Sequence, residues 1–199
     1  MKTVFFDLGN VLIFFSHQKM CEQIAAVYET SFASIYEILF KKGLAKEYES
    51  GFISSEELHM GLSKSLGKQG DFFALMQAAS AIFTPNPAIY PLVHRLKKEA
   101  VQLILLSNTC EAHFNYAYSH FPILQLFDRY LLSYEVKLRK PAPLIFRKAL
   151  SLSGSPPADC FYTDDLQENI RAARKEGIDA EIFTDADSLE KHLTVRNIL

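Results

Sequence analysis

A chain of 199 residues, 49% apolar and 22% charged, suffices for one globular domain or a domain with a modest insertion, and buries a core without staples. Its net charge of −2 gives no electrostatic reason to expect nucleic acid or an anionic membrane as a partner. Three cysteines, Cys21, Cys110 and Cys160, stand far apart with no Cys-x-x-Cys pair, against a disulfide framework or zinc site and for a reducing compartment. Asp7 interrupts the early apolar run where a signal peptide would have its apolar core. No stretch approaches the ~18 continuous apolar residues of a membrane span. The expected location is the cytoplasm.

The chain opens on Thr3-Val4-Phe5-Phe6-Asp7-Leu8-Gly9-Asn10. Valine and phenylalanine suit a pleated strand, and an apolar run without polar alternation predicts burial on both faces. The strand ends in a carboxylate, Asp7. Gly9 then lets the backbone turn tightly and approach a ligand closely. From Ser16 to Phe83 the periodicity is helical, with helices expected near 17–28, 31–42, 54–66 and 71–82 and no strand. Ser54-x-x-Glu57 is a capping box ahead of Leu58, Leu62 and Leu66. Thr84-Pro85-Asn86-Pro87 breaks the segment.

After Pro87 the pattern changes. Ile89, Leu92, Val93 and Leu96 mark an amphipathic helix with a basic end, and Val101 to Leu106 a second buried strand running into Ser107-Asn108-Thr109. A short strand is expected at 130–133, then the basic stretch Val136 to Pro143, then a helix near 143–152. Cys160 to Thr163 reads as a strand ending in Asp164-Asp165. A helix closed by Gly177, a strand at 178–183 and a terminal helix near 185–193 complete the chain. Strands alternating with helices predict an α/β fold, a doubly wound parallel sheet covered on both faces. The expected division is a core of residues 1–15 and 87–199, with residues 16–86 inserted after the first strand as a small helical cap. Such an insertion sits at the sheet's C-terminal edge, where these folds bind ligands.

Three predicted parallel strands end at Asp7, Ser107 and Asp164-Asp165, so these groups converge on one edge within reach of Lys140. Hard oxygen ligands suit Mg²⁺, with Asp7, Asp164 and the backbone carbonyl near Gly9 as candidates. A carboxylate is also a competent nucleophile toward phosphorus. Ser107 and the Asn108 backbone are candidates for holding a phosphoryl oxygen, and Lys140 for stabilising developing charge. Singly, each has a plainer reading: Asp165-x-x-Glu168 as an N-cap pair, Ser107-Asn108 as a helix cap, Lys140 as a solvated lysine beside Lys137 and Arg139.

Taken in order, these stretches resemble the haloacid dehalogenase-like (HAD) hydrolases. Phe6-Asp7-Leu8-Gly9-Asn10-Val11 resembles the first motif and Leu105-Leu106-Ser107-Asn108-Thr109 the second. Arg139-Lys140-Pro141 resembles the third, and Phe161-Tyr162-Thr163-Asp164-Asp165 through Asn169-Ile170 the fourth. The combination is most similar to the bacterial α-D-glucose-1-phosphate phosphatase branch. The resemblance implies a Rossmann-like core with Asp7 as nucleophile and metal ligand, and Ser107 and Lys140 as phosphate-contacting catalytic residues. It implies Asp164 as a Mg²⁺ ligand and Asp165 as a ligand or an acceptor beside one. The departure is Gly9, where most phosphatases of this superfamily carry a second aspartate that serves as general acid.

The function these residues imply is Mg²⁺-dependent hydrolysis of a small phosphorylated metabolite, such as a sugar phosphate, through an aspartyl-phosphate. Two other functions compete. One is a 2-haloacid dehalogenase, in which Asp7 attacks carbon; the Asp164-Asp165 pair argues against it. The other is a catalytically silent binding or regulatory module, suggested by Gly9. Lys41, Lys42, Lys46, Tyr48 and Phe52 are candidates for facing the leaving group, or else ordinary surface and packing residues.

Overall fold

The computed structural model describes residues Met1–Leu199. Its strands are β1 (Thr3–Phe6), β2 (Ile13–Phe15), β3 (Phe83–Pro85), β4 (Gln102–Ser107), β5 (Arg129–Leu132), β6 (Cys160–Asp164) and β7 (Asp179–Ile182). Five of them form one parallel sheet in the order β5-β4-β1-β6-β7, placing β1 at the centre. The opening apolar run is therefore covered on both sides. Val4 and Phe6 enter one cluster with Leu103, Leu105 and Leu132. Phe5 points the other way, into a cluster with Ile104, Leu106 and Tyr162. Burying each of these side chains stabilises the fold by about 1.5–3 kcal/mol.

The helices are α1 (His17–Val27), α2 (Phe32–Tyr36), α3 (Leu44–Glu49), α4 (Ser55–Leu66), α5 (Phe72–Ser80), α6 (Tyr90–Lys98), α7 (Glu111–His120), α8 (Ser133–Val136), α9 (Pro143–Ser153), α10 (Gln167–Lys175) and α11 (Ala186–Val195). The first five lie between β2 and β3 and build a core of their own. Met20, Ile24, Leu39, Leu58, Leu62 and Leu75 meet there, and Cys110 is the one member contributed from beyond the segment. The capping box at Ser54 and Glu57 forms as the sequence indicates.

The structure corrects the expected element boundaries in four places. The helix expected at 31–42 is short, because α2 runs into a π-helical turn at Glu37–Lys41 that ends before Gly43 in a left-handed conformation. An unanticipated helix, α3, follows it. Thr84-Pro85 is not simply a break: Phe83–Pro85 pairs antiparallel with Ile13–Phe15, so the helical segment leaves from a two-stranded ribbon rather than directly from β1. Three-residue strands carry too short a pattern to read. Finally, α7 escapes periodicity analysis because Ala117 is its only fully buried residue.

Register positions the site. Phe6 pairs with Leu105 on one side and Thr163 on the other, so β1, β4 and β6 finish side by side at Asp7, Ser107 and Asp164. The helical segment reaches this edge through α3. Just past it, Gly51 has φ +67°, and a Cβ there would lie 1.9 Å from the Tyr134 carbonyl oxygen. Both the left-handed backbone and the close approach require glycine. Gly51→Ala is expected to lower stability by about 2 kcal/mol or more, read from the midpoint of a urea titration. An unshifted midpoint would contradict this packing.

Candidate active site

The centre of the site is a buried ammonium. Lys140 Nζ donates to Asp7 Oδ1 at 2.6 Å, to Asp164 Oδ2 at 2.7 Å and to the Leu106 carbonyl at 2.9 Å. All three acceptors stand at strand ends, and the lysine arrives from the loop between α8 and α9. Its side chain is 1% exposed and that of Asp164 0%. A charge taken this far from water persists only when paired and hydrogen-bonded. Lys140 is thus no solvated surface lysine.

The lysine loop is fixed by Asn108. Its amide donates to the Lys140 carbonyl at 2.9 Å and its Oδ1 accepts from Lys140 N–H at 2.8 Å. The Asn108 side chain thereby ties β4's exit to the loop, a role beyond the backbone contact expected from sequence. Asp164 accepts from Asn169 Nδ2 at 2.9 and 3.0 Å, from Leu166 N–H at 2.8 Å and from the Tyr162 hydroxyl. Asn10, in a left-handed conformation that asparagine tolerates, donates to Asp165 Oδ2 at 2.8 Å. Asp165 therefore stands beside the cluster and is not the helix cap that its spacing from Glu168 suggests, since the N-cap of α10 is Leu166, with no side-chain cap.

One oxygen from each of Asp7, Asp164 and Asp165 lies within 4.8 Å of the others. Three carboxylates around one ammonium leave an excess of negative charge. Burial pushes Asp7 up to about 7, with Asp164 adding to the rise and Lys140 opposing it. Burial works against the charge of Asp164 as well, yet Lys140, Tyr162 and Asn169 hold its carboxyl below the usual range. The ammonium, opposed by burial but held by Asp7 and Asp164, is raised. An all-oxygen set with unbalanced negative charge fits a hard divalent cation. Asp7, Asp164 and Asp165 offer side-chain oxygens for it, and Gly9 only its main chain.

A cavity of about 60 Å³ adjoins this cluster, lined by Leu8, Gly9, Phe15, Ser107, Asn108 and Thr109, and by Glu49, His17 and His113 from its far wall. Of the two histidines, His113 is half-buried and His17 is exposed at the rim of the cavity. His17 lies between the rings of Phe15 and Phe40 at 4.9 and 4.8 Å, and burial lowers its pKa. Burial pushes His113 down to about 4. A Cβ on Gly9 would lie 2.7 Å from Phe15 Cε1, so that ring stands where a side chain at position 9 would project. Of the candidate leaving-group residues, Lys41, Lys42, Lys46 and Phe52 are exposed. Tyr48 is buried, with its hydroxyl 2.6 Å from Ser55 Oγ. Sequence reasoning did not assign Glu49, Arg139 and Ser133 to the site. Arg139 donates to Glu49 Oε2 at 2.6 Å and Ser133 to the Glu49 carbonyl at 2.6 Å, contacts between segments that no local pattern discloses.

Comparison with known proteins gives a consistent result. The family pattern of the haloacid dehalogenase-like hydrolases matches residues 1–177. D-ribitol-5-phosphate phosphatase of Bacteroides thetaiotaomicron is 24% identical over 188 residues, covering 90% of each chain. Drimenol cyclase drtB of Aspergillus calidoustus is 24% identical over 152 residues, and the match spans 74% of this chain but 29% of that protein. Among solved structures, a HAD family enzyme of Bacteroides thetaiotaomicron in complex with magnesium and inorganic phosphate superposes with a TM-score of 0.83. It is 26% identical, with 93% of this chain and 95% of that one covered.

The burial of Asp7 has a pH signature. Asp7 titrates near about 7 in the folded chain against 3.8 ordinarily, so the folded state keeps a proton that the unfolded state has lost between those values. Its contribution to stability therefore becomes more unfavourable as pH rises from about 4 to about 7. Asp7→Asn is expected to gain stability relative to the parent across that interval, on the order of a few kcal/mol. Urea titrations of both proteins without divalent cations at pH 5 and pH 8 measure it. Parallel pH dependences would contradict the assignment.

Proposed function

The chain belongs to the haloacid dehalogenase-like hydrolase family, and from that premise we propose that it is a Mg²⁺-dependent phosphomonoester hydrolase acting through Asp7. The observation that carries the reading is the cluster itself: one buried ammonium on Asp7 and Asp164, with Asp165 completing three carboxylates within 4.8 Å. A displacement at carbon has no use for such a cation-binding set. Support comes from the 24%-identical phosphatase for D-ribitol 5-phosphate and from the related enzyme's complex with magnesium and inorganic phosphate.

In this reading residues 16–86 are a helical cap on a catalytic core of residues 1–15 and 87–199. An Asp7 carboxylate oxygen attacks phosphorus, the P–O bond to the leaving alcohol breaks, and an aspartyl-phosphate forms. Water then attacks the phosphorus, freeing inorganic phosphate and restoring the carboxylate. The Ser107 hydroxyl and the Asn108 main-chain N–H hold phosphoryl oxygens, and Lys140 offsets the charge that builds on them. Asp7, Asp164, Asp165 and the Gly9 carbonyl would hold Mg²⁺, which would supply charge neutralisation for the phosphate and relieve the crowding of carboxylates. Gly9 presents no acid and Phe15 fills the space beside it, so the leaving oxygen takes its proton from water. General acid help is typically worth ~10²–10⁴-fold, which leaves room for turnover without it. The substrate in this reading is a small phosphorylated metabolite, with sugar phosphates foremost, as for the 24%-identical phosphatase of D-ribitol 5-phosphate.

The test is hydrolysis of an aryl phosphate and of a panel of small sugar phosphates, with Mg²⁺ and with a chelator. Metal-dependent release of phosphate is expected, and Asp7→Asn is expected to abolish it in a folded protein. Turnover that persists in that variant, or release of halide from a 2-haloacid in place of phosphate, would overturn the reading.

A further inference from the structure

We propose that the Glu49–Arg139 ion pair is a positioning latch, which seats the helical segment on the site and keeps that wall of the cleft neutral toward a phosphate dianion. The inference rests on the phosphatase reading for its ligand and on geometry of its own for the contact. Arg139 immediately precedes Lys140, so one loop carries the cation that holds Asp7 and the cation that holds the helical segment. Its Nη2 reaches Glu49 Oε2 at 2.6 Å, and the two side chains are 27% and 22% exposed. Arg139 Nε is buried without a partner, and Glu49 is the one carboxylate this guanidinium pairs with.

The same turn of chain is tied down twice more. The Glu49 carbonyl accepts from Ser133 Oγ, which itself accepts from Thr109 N–H at 2.9 Å, two residues beyond Ser107. Two residues past Glu49, Gly51 packs on the Tyr134 backbone. The end of α3 is thus joined to the lysine loop, to the exit of β4 and to the β5–α8 junction. All three flank the cleft.

Charge gives the pair its second consequence. Glu49 lines the same cavity as Gly9, Ser107 and Asn108, and also a smaller apolar chamber with Met20, Leu39 and Tyr48. A carboxylate there without its arginine faces the space a phosphate ester would occupy, and it repels a dianion with little solvent between them. Burial already raises the Glu49 carboxyl, and Arg139 opposes that rise. The partner keeps an anion tolerable in an anion-binding cleft.

A double-variant cycle tests this: Arg139→Gln, Glu49→Gln and the two together, each assayed for kcat and KM on an aryl phosphate with Mg²⁺. Arg139→Gln exposes the carboxylate and should raise KM about tenfold or more. Glu49→Gln removes the repulsion along with the tie, so the double variant should recover most of that KM and resemble Glu49→Gln. Calorimetric titration with inorganic phosphate should follow the same order without turnover. All three variants should also show faster hydrogen exchange over residues 44–52. A double variant as impaired as Arg139→Gln would overturn the electrostatic role, and unchanged exchange would overturn the latch. Should the parent hydrolyse no phosphate ester at all, the phosphatase reading fails by itself, and the exchange data still judge the latch.

Discussion

The structure depends on one buried cation. Lys140 sits where β1, β4 and β6 end and donates to an acceptor from each: Asp7, the Leu106 carbonyl and Asp164. An isolated ammonium in such a place would cost several kcal/mol, and so would two adjacent carboxylates without it. Each makes the other tolerable. One ammonium does not balance three carboxylates, so the site retains a deficit of positive charge, and burial, with Asp164 adding to it and Lys140 opposing it, pushes Asp7 up to about 7. The same deficit suits the site to a divalent cation and a transferring phosphoryl group.

The sheet makes that convergence possible without local proximity in sequence. Residues separated by 133 and 24 positions meet at Lys140 because parallel register brings Phe6, Leu105 and Thr163 level. Apolar packing on both faces of β1 holds the register, since a one-residue slip would exchange Phe5 with Val4 and Phe6 between two distinct cores. The helical segment has its own core and meets this edge through α3. Gly51, Ser133 and the Glu49–Arg139 pair make the seam on that side, and α5 packed on α7, with His113 Nε2 3.1 Å from the Ala79 carbonyl, makes it on the other.

Much of this was legible in the chain. The unbroken apolar run before Asp7 announced a doubly covered strand, and the capping box at Ser54 fixed the start of α4 to the residue. Asp7, Ser107 and Asp164 could be placed on one edge because strand ends in a parallel sheet lie together, with Lys140 in a loop within reach of it. What escaped has physical reasons. β2 and β3 are too short for alternation to register, and α7 buries mostly aromatic flanks instead of an aliphatic stripe. Asn108 reads from the sequence as a candidate backbone contact for a phosphoryl oxygen, not as the side chain that grips Lys140, since that partner lies 32 positions away. Arg139 read as one member of a basic stretch, and Glu49 carried no signal of its own. Only the three-dimensional seam pairs them.

The proposed chemistry comes down to whether Asp7 carries the phosphoryl group. Rapid acid quench during turnover of an aryl phosphate with Mg²⁺, followed by borohydride reduction and peptide mass spectrometry, tests this most directly. Reduction of an acyl phosphate at Asp7 yields homoserine at position 7, and that conversion is the result expected. Turnover with an unmodified Asp7, or with the modification on another carboxylate, would contradict the account.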